Sequence, residues 1–179
     1  MSRPPRRRGR RPGPRELAER VRRLRLVLFD VDGVLTDGRI YYGPEGEVMK
    51  AFDVKDGHGL VHLREHVELG VISGRPGLSA ERRLQEMRFK HLSFGHRDKL
   101  PAYEELRTRL GLEDGEVAFM GDDVNDLPVL ARVGLSAAPA DARPEVRAAV
   151  HLVTASPGGR GAVRELCELI LRAKGLWPH

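Results

Sequence analysis

The fold turns on residues 24–38, Leu24-Arg-Leu-Val-Leu-Phe-Asp30-Val-Asp32-Gly-Val-Leu-Thr-Asp-Gly38. A short apolar, β-branched and aromatic run that stops abruptly at acids and a glycine predicts a buried strand delivering carboxylates to its C-terminal end. In an open α/β sheet that end is where ligands bind. Asp30 and Asp32 are two residues apart, which in extended backbone keeps both side chains on one side. Gly33 then lets the chain turn away without steric conflict. An Asp-Gly pair by itself would be an ordinary turn or helix cap. A turn needs one acid, however, and here two follow directly on an apolar strand. Paired hard carboxylates ask for a cation, Mg²⁺ before others, and a metal so held invites a phosphate. In such a site one aspartate can attack phosphorus to form an aspartyl-phosphate while the other moves protons.

Further along the chain, 39–52 alternates and carries Gly43-Pro44-Glu45-Gly46 in its middle, which predicts a β-hairpin. The hairpin leaves Ile40, Tyr42, Val48 and Phe52 without an internal core, the mark of an interface element. The polar, glycine-bearing loop Asp53-Val54-Lys55-Asp56-Gly57 comes next, before a helix expected over 60–66. A second strand at 68–72 ends in Ser73-Gly74-Arg75, where hydroxyl and backbone N–H groups can meet a phosphoryl oxygen. A helix over 78–87 and a short strand at 91–94 lead to Asp98, a candidate helix cap, and Lys99. A cation in a first helical turn is mildly unfavourable, so Lys99 is read as holding a phosphate. Residues 116–120 form another strand, capped by Gly121-Asp122-Asp123-Val-Asn-Asp126. Three acids so close repel one another unless a divalent cation is shared with Asp30 and Asp32. A strand at 133–137, a helix at 142–149, a strand at 151–154, the run Gly158-Gly159-Arg160-Gly161 and an amphipathic helix ending near Lys174 complete the chain.

At 179 residues, with 40% hydrophobic and 32% charged side chains, the chain fits one globular domain. No apolar run approaches the roughly 20 residues of a membrane span, and the arginine-rich N-terminus lacks the apolar centre of a secretory signal. Cys167 is the single cysteine, which excludes an internal disulfide and a cysteine-based zinc cluster and fits a reducing cytoplasm. The net charge of +5 is local. Residues 1–15 hold seven arginines and no acid, while the other 164 residues carry 24 basic against 26 acidic side chains, a net of −2. Arginine mixed with proline and glycine predicts a disordered arm over 1–15, followed by a single domain over 16–179. The arm is the only candidate nucleic-acid contact, and it does not define the protein.

Asp30-Val-Asp-Gly-Val-Leu-Thr-Asp37 resembles the first motif of the haloacid-dehalogenase-type phosphatases, Asp-x-Asp-x-[Val/Thr]. Ser73-Gly74, Lys99 and Gly121-Asp122-Asp123-x-x-Asp126 match the remaining motifs in the family's order. The resemblance implies a Rossmann-like parallel sheet with helices on both faces. It implies Asp30 as nucleophile, Asp32 as acid and base, and Ser73 and Lys99 holding the transferring group. Mg²⁺ would be held by Asp30, the backbone carbonyl of Asp32, and Asp122, with Asp123 and Asp126 as further candidates. The interval from Asp32 to Ser73 has room for a hairpin but not a cap domain, and that from Lys99 to Asp122 holds one helix and one strand. A capless site stays open to water unless a neighbouring subunit closes it. The expectation is a homotetramer joined through its hairpins, with the Gly158–Gly161 run as a mobile closing piece.

Within the capless subgroup, Asp37-Gly-Arg-Ile-Tyr-Tyr42, Lys50-Ala-Phe-Asp-Val-Lys-Asp-Gly57, Ser73-Gly-Arg75, Asp98-Lys-Leu100 and Gly158-Gly-Arg-Gly-Ala-Val-Arg-Glu165 resemble the sugar-acid phosphatases of lipopolysaccharide synthesis. That implies a substrate of the type 3-deoxy-D-manno-octulosonate 8-phosphate. The contacts it implies are Asp32, Asp53, Val54, Lys55, Asp56, Gly57, Arg75, Arg83, Lys99 and Arg160, with Arg82 competing with Arg83 for the inward place. Val61 stands where an arginine is common. A nine-carbon, sialic-acid-type sugar phosphate is the alternative, for which acids would be expected near Arg75 and Arg160. A nucleic-acid-binding protein on an inactive phosphatase fold is the alternative from another class. Intact Asp30, Asp32, Lys99 and Asp122 argue against it.

Overall fold

The first strand, β1 (Leu26–Phe29), has all four side chains fully buried. It is central, and each of its faces feeds a different core: Val27 and Phe29 enter one, Leu26 and Leu28 the other. Burying each of these side chains is worth about 1.5–3 kcal/mol relative to leaving it exposed, so a continuous apolar strand is driven to the middle of the sheet.

The computed structural model describes residues 12–177. A hairpin, β2 (Tyr41–Gly43) and β3 (Gly46–Met49), follows β1 and pairs only with itself. The main strands are β4 (Glu68–Ile72), β5 (His91–Ser93), β6 (Val117–Met120), β7 (Leu135–Ala138) and β8 (Leu152–Val153). With β1 they make a six-stranded parallel sheet in the order β5-β4-β1-β6-β7-β8. Helices α1 (Pro14–Arg22), α2 (Val54–Leu63), α3 (Leu78–Glu86) and α7 (Ala162–Ala173) pack on one face. Helices α4 (Leu100–Arg109), α5 (Leu127–Leu130) and α6 (Pro144–Ala149) pack on the other. This is the doubly wound arrangement expected from the sequence, with a hairpin where a cap would stand.

Several boundaries move. The helix expected over 60–66 is α2, which starts at Val54 because the Asp53 carboxylate accepts the N–H of Lys55 at 2.7 Å and caps it. The supposed 53–57 loop is therefore a helix cap and first turn. α6 starts at Pro144, with its proline in the first turn, rather than at 142. β7 begins at Leu135, two residues late. α1 starts at Pro14, so Pro14 and Arg15 belong to the body and not to the arm. Residues 1–11 of the arm lie outside the described residues.

In the hairpin, a register shift between Tyr41 and Tyr42 breaks the simple alternation. Tyr41, Tyr42, Val48 and Met49 all end exposed, Tyr42 at 65%. Phe52 does not: it packs against the core beside an isolated bridge to Thr36. Cys167 is buried in α7, and burial pushes its thiol far above the ordinary value, as expected of a core thiol. Among the described residues no helix is long and apolar enough to cross a membrane.

Candidate active site

Register brings the catalytic candidates to one level. Phe29 lies opposite both Val71 and Met120, so Asp30, Ser73 and Asp122 emerge from the C-terminal ends of three neighbouring strands. Backbone bonds continue the sheet just past these ends: Asp30 N–H donates to the Met120 carbonyl and Ser73 N–H to that of Ser93, both at 2.9 Å. The cleft that results, of ≈ 290 Å³, is lined by Asp30, Asp32, Gly38, Ser73, Gly74, Arg75, Asp122, Asp123 and Asn125. Larger clefts of ≈ 340 and ≈ 580 Å³ lie among Arg25, Arg64 and Lys90, and among Arg20, Asp114 and Arg132, without any of the acids of the strand ends.

Asp30 is only 7% exposed. Its Oδ1 accepts the N–H of Val31 at 2.6 Å, and its Oδ2 lies 2.8 Å from Lys99 Nζ. Lys99, wholly buried at the head of α4, also donates to Asp126 Oδ1 at 2.5 Å. Burial works against the Lys99 charge, but Asp30 and Asp126 outweigh it and hold the ammonium above the usual lysine value. Burial pushes the Asp30 carboxyl up to about 6, with Lys99 opposing the rise and Asp126 adding to it. Asp122 is pushed up to about 8, by burial first and then by the charges of Asp30 and Asp126.

An oxygen from each of Asp30, Asp122 and Asp126 can come within 4.8 Å of the others. Such a group of hard oxygens, with too little positive charge to balance it, fits a divalent cation of the Mg²⁺ type. Asp126, however, has its oxygens engaged from within: Oδ2 accepts the N–H of Asp122 at 2.9 Å and of Asp123 at 3.2 Å, while Oδ1 takes Lys99. It shapes the Gly121–Asp126 turn. The Asp123 carboxylate stands apart from this group, exposed, and caps the turn through Val124 N–H at 2.7 Å. Asp30 and Asp122 are thus the carboxylates best placed to hold the cation.

Gly33 makes the close approach possible. Its φ is +84°, and a Cβ there would sit 2.2 Å from Asp122 Oδ2.

The Asp32 carboxylate lines the same cleft but stands outside the group of Asp30, Asp122 and Asp126. Lys50 Nζ lies 2.8 Å from its Oδ1 and donates to its Oδ2 at 3.0 Å, and Arg75 Nε is 4.0 Å from Oδ2. The Lys50 side chain is 1% exposed and lies 3.6 Å from Glu47, whose Oε1 also accepts the Ser79 hydroxyl at 2.9 Å. Arg75 donates to the Tyr42 hydroxyl at 2.7 Å. That bond is the main cause holding the guanidinium above its ordinary value. Lys50, Glu47 and the Tyr42 hydroxyl are not among the site residues expected from the sequence, because a lysine closing a hairpin reads as solvated. Burial by distant chain is what gives it a role.

Of the substrate contacts implied by resemblance, Asp32 and Arg75 line the cleft and Lys99 lies directly behind Asp30. The others do not. Asp56 is buried and accepts the N–H groups of Gly161 at 3.2 Å and Arg164 at 2.7 Å, so it caps α7. Gly57 packs by Arg83 and Met87. Asp53 is the cap of α2, and Val54 and Lys55 face outward. Arg83 leans on α2 and lies 3.4 Å from Glu86, while the Arg82 side chain is 88% exposed, so neither reaches the cleft.

Arg160 is exposed, 3.9 Å from Asp37, beside a separate 160 Å³ cleft with Arg39 and Asp141. Its glycine run packs closely on the turn after β1. A Cβ on Gly158 would sit 1.8 Å from the Gly33 carbonyl oxygen, and Gly159 N–H donates to the Val34 carbonyl at 2.9 Å. Gly158 and Gly159 serve close backbone packing against the 33–37 turn.

A family profile for haloacid dehalogenase-like hydrolases matches residues 73–166. The chain is 46% identical over 160 residues to the 3-deoxy-D-manno-octulosonate 8-phosphate phosphatase of Yersinia pestis, covering 89% of this chain and 86% of that one. It is 42% identical over 165 residues to its namesake in Escherichia coli K12, covering 92% and 88%. The crystal structure of the Moraxella catarrhalis phosphatase of the same name, in complex with a magnesium ion, a phosphate ion and a KDO molecule, superposes with a TM-score of 0.88 at 38% identity, covering 91% of this chain and 94% of that one.

Proposed function

The chain belongs to the haloacid dehalogenase-like hydrolase family, and we propose that it is a Mg²⁺-dependent phosphatase hydrolysing 3-deoxy-D-manno-octulosonate 8-phosphate to the free sugar acid and phosphate. The observation that carries the reaction is the meeting of Asp30, gripped by Lys99, with Asp32, Ser73 and Asp122 at one cleft. The substrate rests on the named relatives.

In the proposed mechanism a carboxylate oxygen of Asp30 attacks phosphorus. The bond from phosphorus to the sugar oxygen breaks, and that oxygen takes a proton from Asp32. An aspartyl-phosphate is left on Asp30. Asp32, now a carboxylate, takes a proton from water, the water oxygen attacks phosphorus, and the bond to Asp30 breaks with release of phosphate. Lys99 and the Ser73 hydroxyl hold the phosphoryl oxygens. Asp30 and Asp122, with the Asp32 backbone carbonyl, would hold the Mg²⁺, which supplies positive charge against the oxygens of the transferring group. Lys50 keeps the Asp32 carboxylate in place. Arg75 offers a guanidinium fork to the sugar carboxylate at the cleft mouth.

The cleft of one chain is open, and Arg83, Arg160 and the 53–55 surface stand outside it. Their proposed contacts belong across a subunit boundary, in a cytoplasmic homotetramer joined through the exposed hairpin face of Tyr41, Tyr42, Val48 and Met49. The test is phosphate release by purified protein with Mg²⁺ from a panel of sugar phosphates. 3-Deoxy-D-manno-octulosonate 8-phosphate should be preferred over nine-carbon sugar-acid and neutral sugar phosphates by kcat/KM. Equal turnover of all three would overturn the assignment.

A further inference from the structure

His58 and His62 stand one turn apart on α2, away from the acidic cleft. Their Nε2 atoms are 3.2 Å apart, and the rings meet edge-on with centroids at 4.6 Å. His62, half-buried, meets the ring of Trp177 edge-on at 5.9 Å. That ring carries the guanidinium of Arg164 at 4.8 Å and of Arg172 at 5.6 Å, and both arginines pair with Glu168. The His62 ring is therefore braced, and the exposed His58 ring comes to it. The two Nε2 atoms face each other at hydrogen-bond distance, so a single ring N–H proton lies between them. A divalent ion can take the place of that proton. Zinc-type ions bind imidazole nitrogen at about 2.0–2.1 Å in tetrahedral geometry, which sets two such nitrogens roughly 3.3–3.4 Å apart. The pair stands within about 0.2 Å of that spacing before any ion binds.

We propose that His58 and His62 form a second metal site, which takes a divalent transition ion of the imidazole-preferring class: Zn²⁺, Ni²⁺ or Cu²⁺. Among the described residues no third histidine, cysteine or carboxylate completes the set, so water fills the remaining positions. Donor chemistry sorts the two sites. Mg²⁺ prefers the oxygens of Asp30 and Asp122, and the softer ions prefer the nitrogens. The bound ion bridges a turn of α2 and fixes His62 against Trp177. It thereby ties the segment after α7 to α2, the same helix pair joined by Asp56 through the N–H groups of Gly161 and Arg164.

Trp177 is the chain's only tryptophan, so its fluorescence reports on this site alone. With Mg²⁺ saturating, Ni²⁺ is titrated into the full chain while tryptophan emission and bound nickel are followed. The expected result is a saturable loss of emission with one Ni²⁺ per chain, reversed by EDTA. It should be absent in His58→Gln and in His62→Gln, and undiminished in Asp122→Asn. Both histidine variants should keep Mg²⁺-dependent phosphate release, which shows them folded. Wild-type quenching surviving in both histidine variants, quenching lost in Asp122→Asn, or no saturable nickel uptake by the wild type would each overturn the proposal.

Discussion

Without metal, the acidic cleft should make this protein more stable as the pH falls from 8 to 5.5. Asp30 is raised from 3.8 to about 6 and Asp122 from 3.8 to about 8, both first by burial. A carboxyl whose folded pKa lies above its unfolded value binds more protons when folded, so lowering the pH through the folded value adds stability. From pH 8 to 5.5, proton uptake at the two sites amounts to about 4 kcal/mol, most of it from Asp122. For a chain of this length that corresponds to a rise in Tm on the order of 10 °C. The window stops above the pH at which ordinary ion-paired carboxylates such as Glu68 and Glu168, held below the usual value by His91 and Arg164, begin to lose their contribution. The assay is thermal unfolding in EDTA at several pH values, with and without excess Mg²⁺. Mg²⁺ should raise Tm most at pH 8 and flatten the slope, because the cation supplies the charge that protons otherwise bring. Asp122→Asn should raise the pH 8 value in EDTA and remove most of the slope. A metal-free Tm that is flat or falls towards pH 5.5, or a slope unchanged in Asp122→Asn, would refute the reasoning.

Asp30→Asn should lower phosphate release at least roughly a thousandfold while the metal-free fold is kept or strengthened, since one of three mutually repelling carboxylates is gone; turnover within tenfold of wild type would rule Asp30 out as nucleophile. Lys50→Met should lower kcat on the order of a hundredfold with KM within a few-fold, because Asp32 loses its anchor while the cleft mouth keeps Arg75. A change confined to KM would move Lys50 to substrate binding. Gly158→Ala forces a methyl into the Gly33 carbonyl and should cost roughly 1–3 kcal/mol, read as a Tm lower by several degrees together with reduced turnover. Replacing Tyr42 and Val48 with Asp should dissociate the proposed tetramer, read by light scattering at micromolar protein, and raise KM with it; a fully active monomer would break that link.

The sheet was legible because its strands are apolar runs that stop at polar residues or glycine, and the positions of Asp30, Ser73 and Asp122 follow from where three of those runs stop, while Lys99 was read from its place at the head of α4. The start of α2 was not. Asp53-Val-Lys-Asp-Gly-His-Gly reads as a loop, since each glycine inside a helix costs about 1 kcal/mol. The structure gives both glycines a tertiary reason: a Cβ on Gly59 would stand 3.0 Å from Arg164 Cδ and 3.1 Å from Cys167 Cβ, and one on Gly57 3.2 Å from Arg83 Nη2. They let α2 lie close against α3 and α7, and packing overrides local propensity. The packing of Gly158 and Gly159 was hidden for the same reason, because a glycine that permits motion and one that permits contact are identical in sequence. The roles of Asp56 and Lys50 depend on partners at separations of 105 and 18 residues, and local pattern carries no signal of either.

The hairpin does more than offer a face to the proposed neighbouring subunit. Its outer side exposes Tyr41, Tyr42, Val48 and Met49, while its inner groups run directly into the cleft. The Tyr42 hydroxyl holds Arg75, Arg75 lies beside Asp32 and Glu47, and Glu47 and Asp32 share Lys50. Every link in that chain is at least partly charged, so its geometry depends on how much water reaches it. A neighbour seated on the outer face would exclude water from Tyr42 and Arg75 first, which tightens the guanidinium at the cleft mouth, and only then bear on the Asp32–Lys50 pair, which is already shielded. Assembly should therefore act more strongly on substrate capture than on the chemical step, and loss of the partner should raise KM before it lowers kcat.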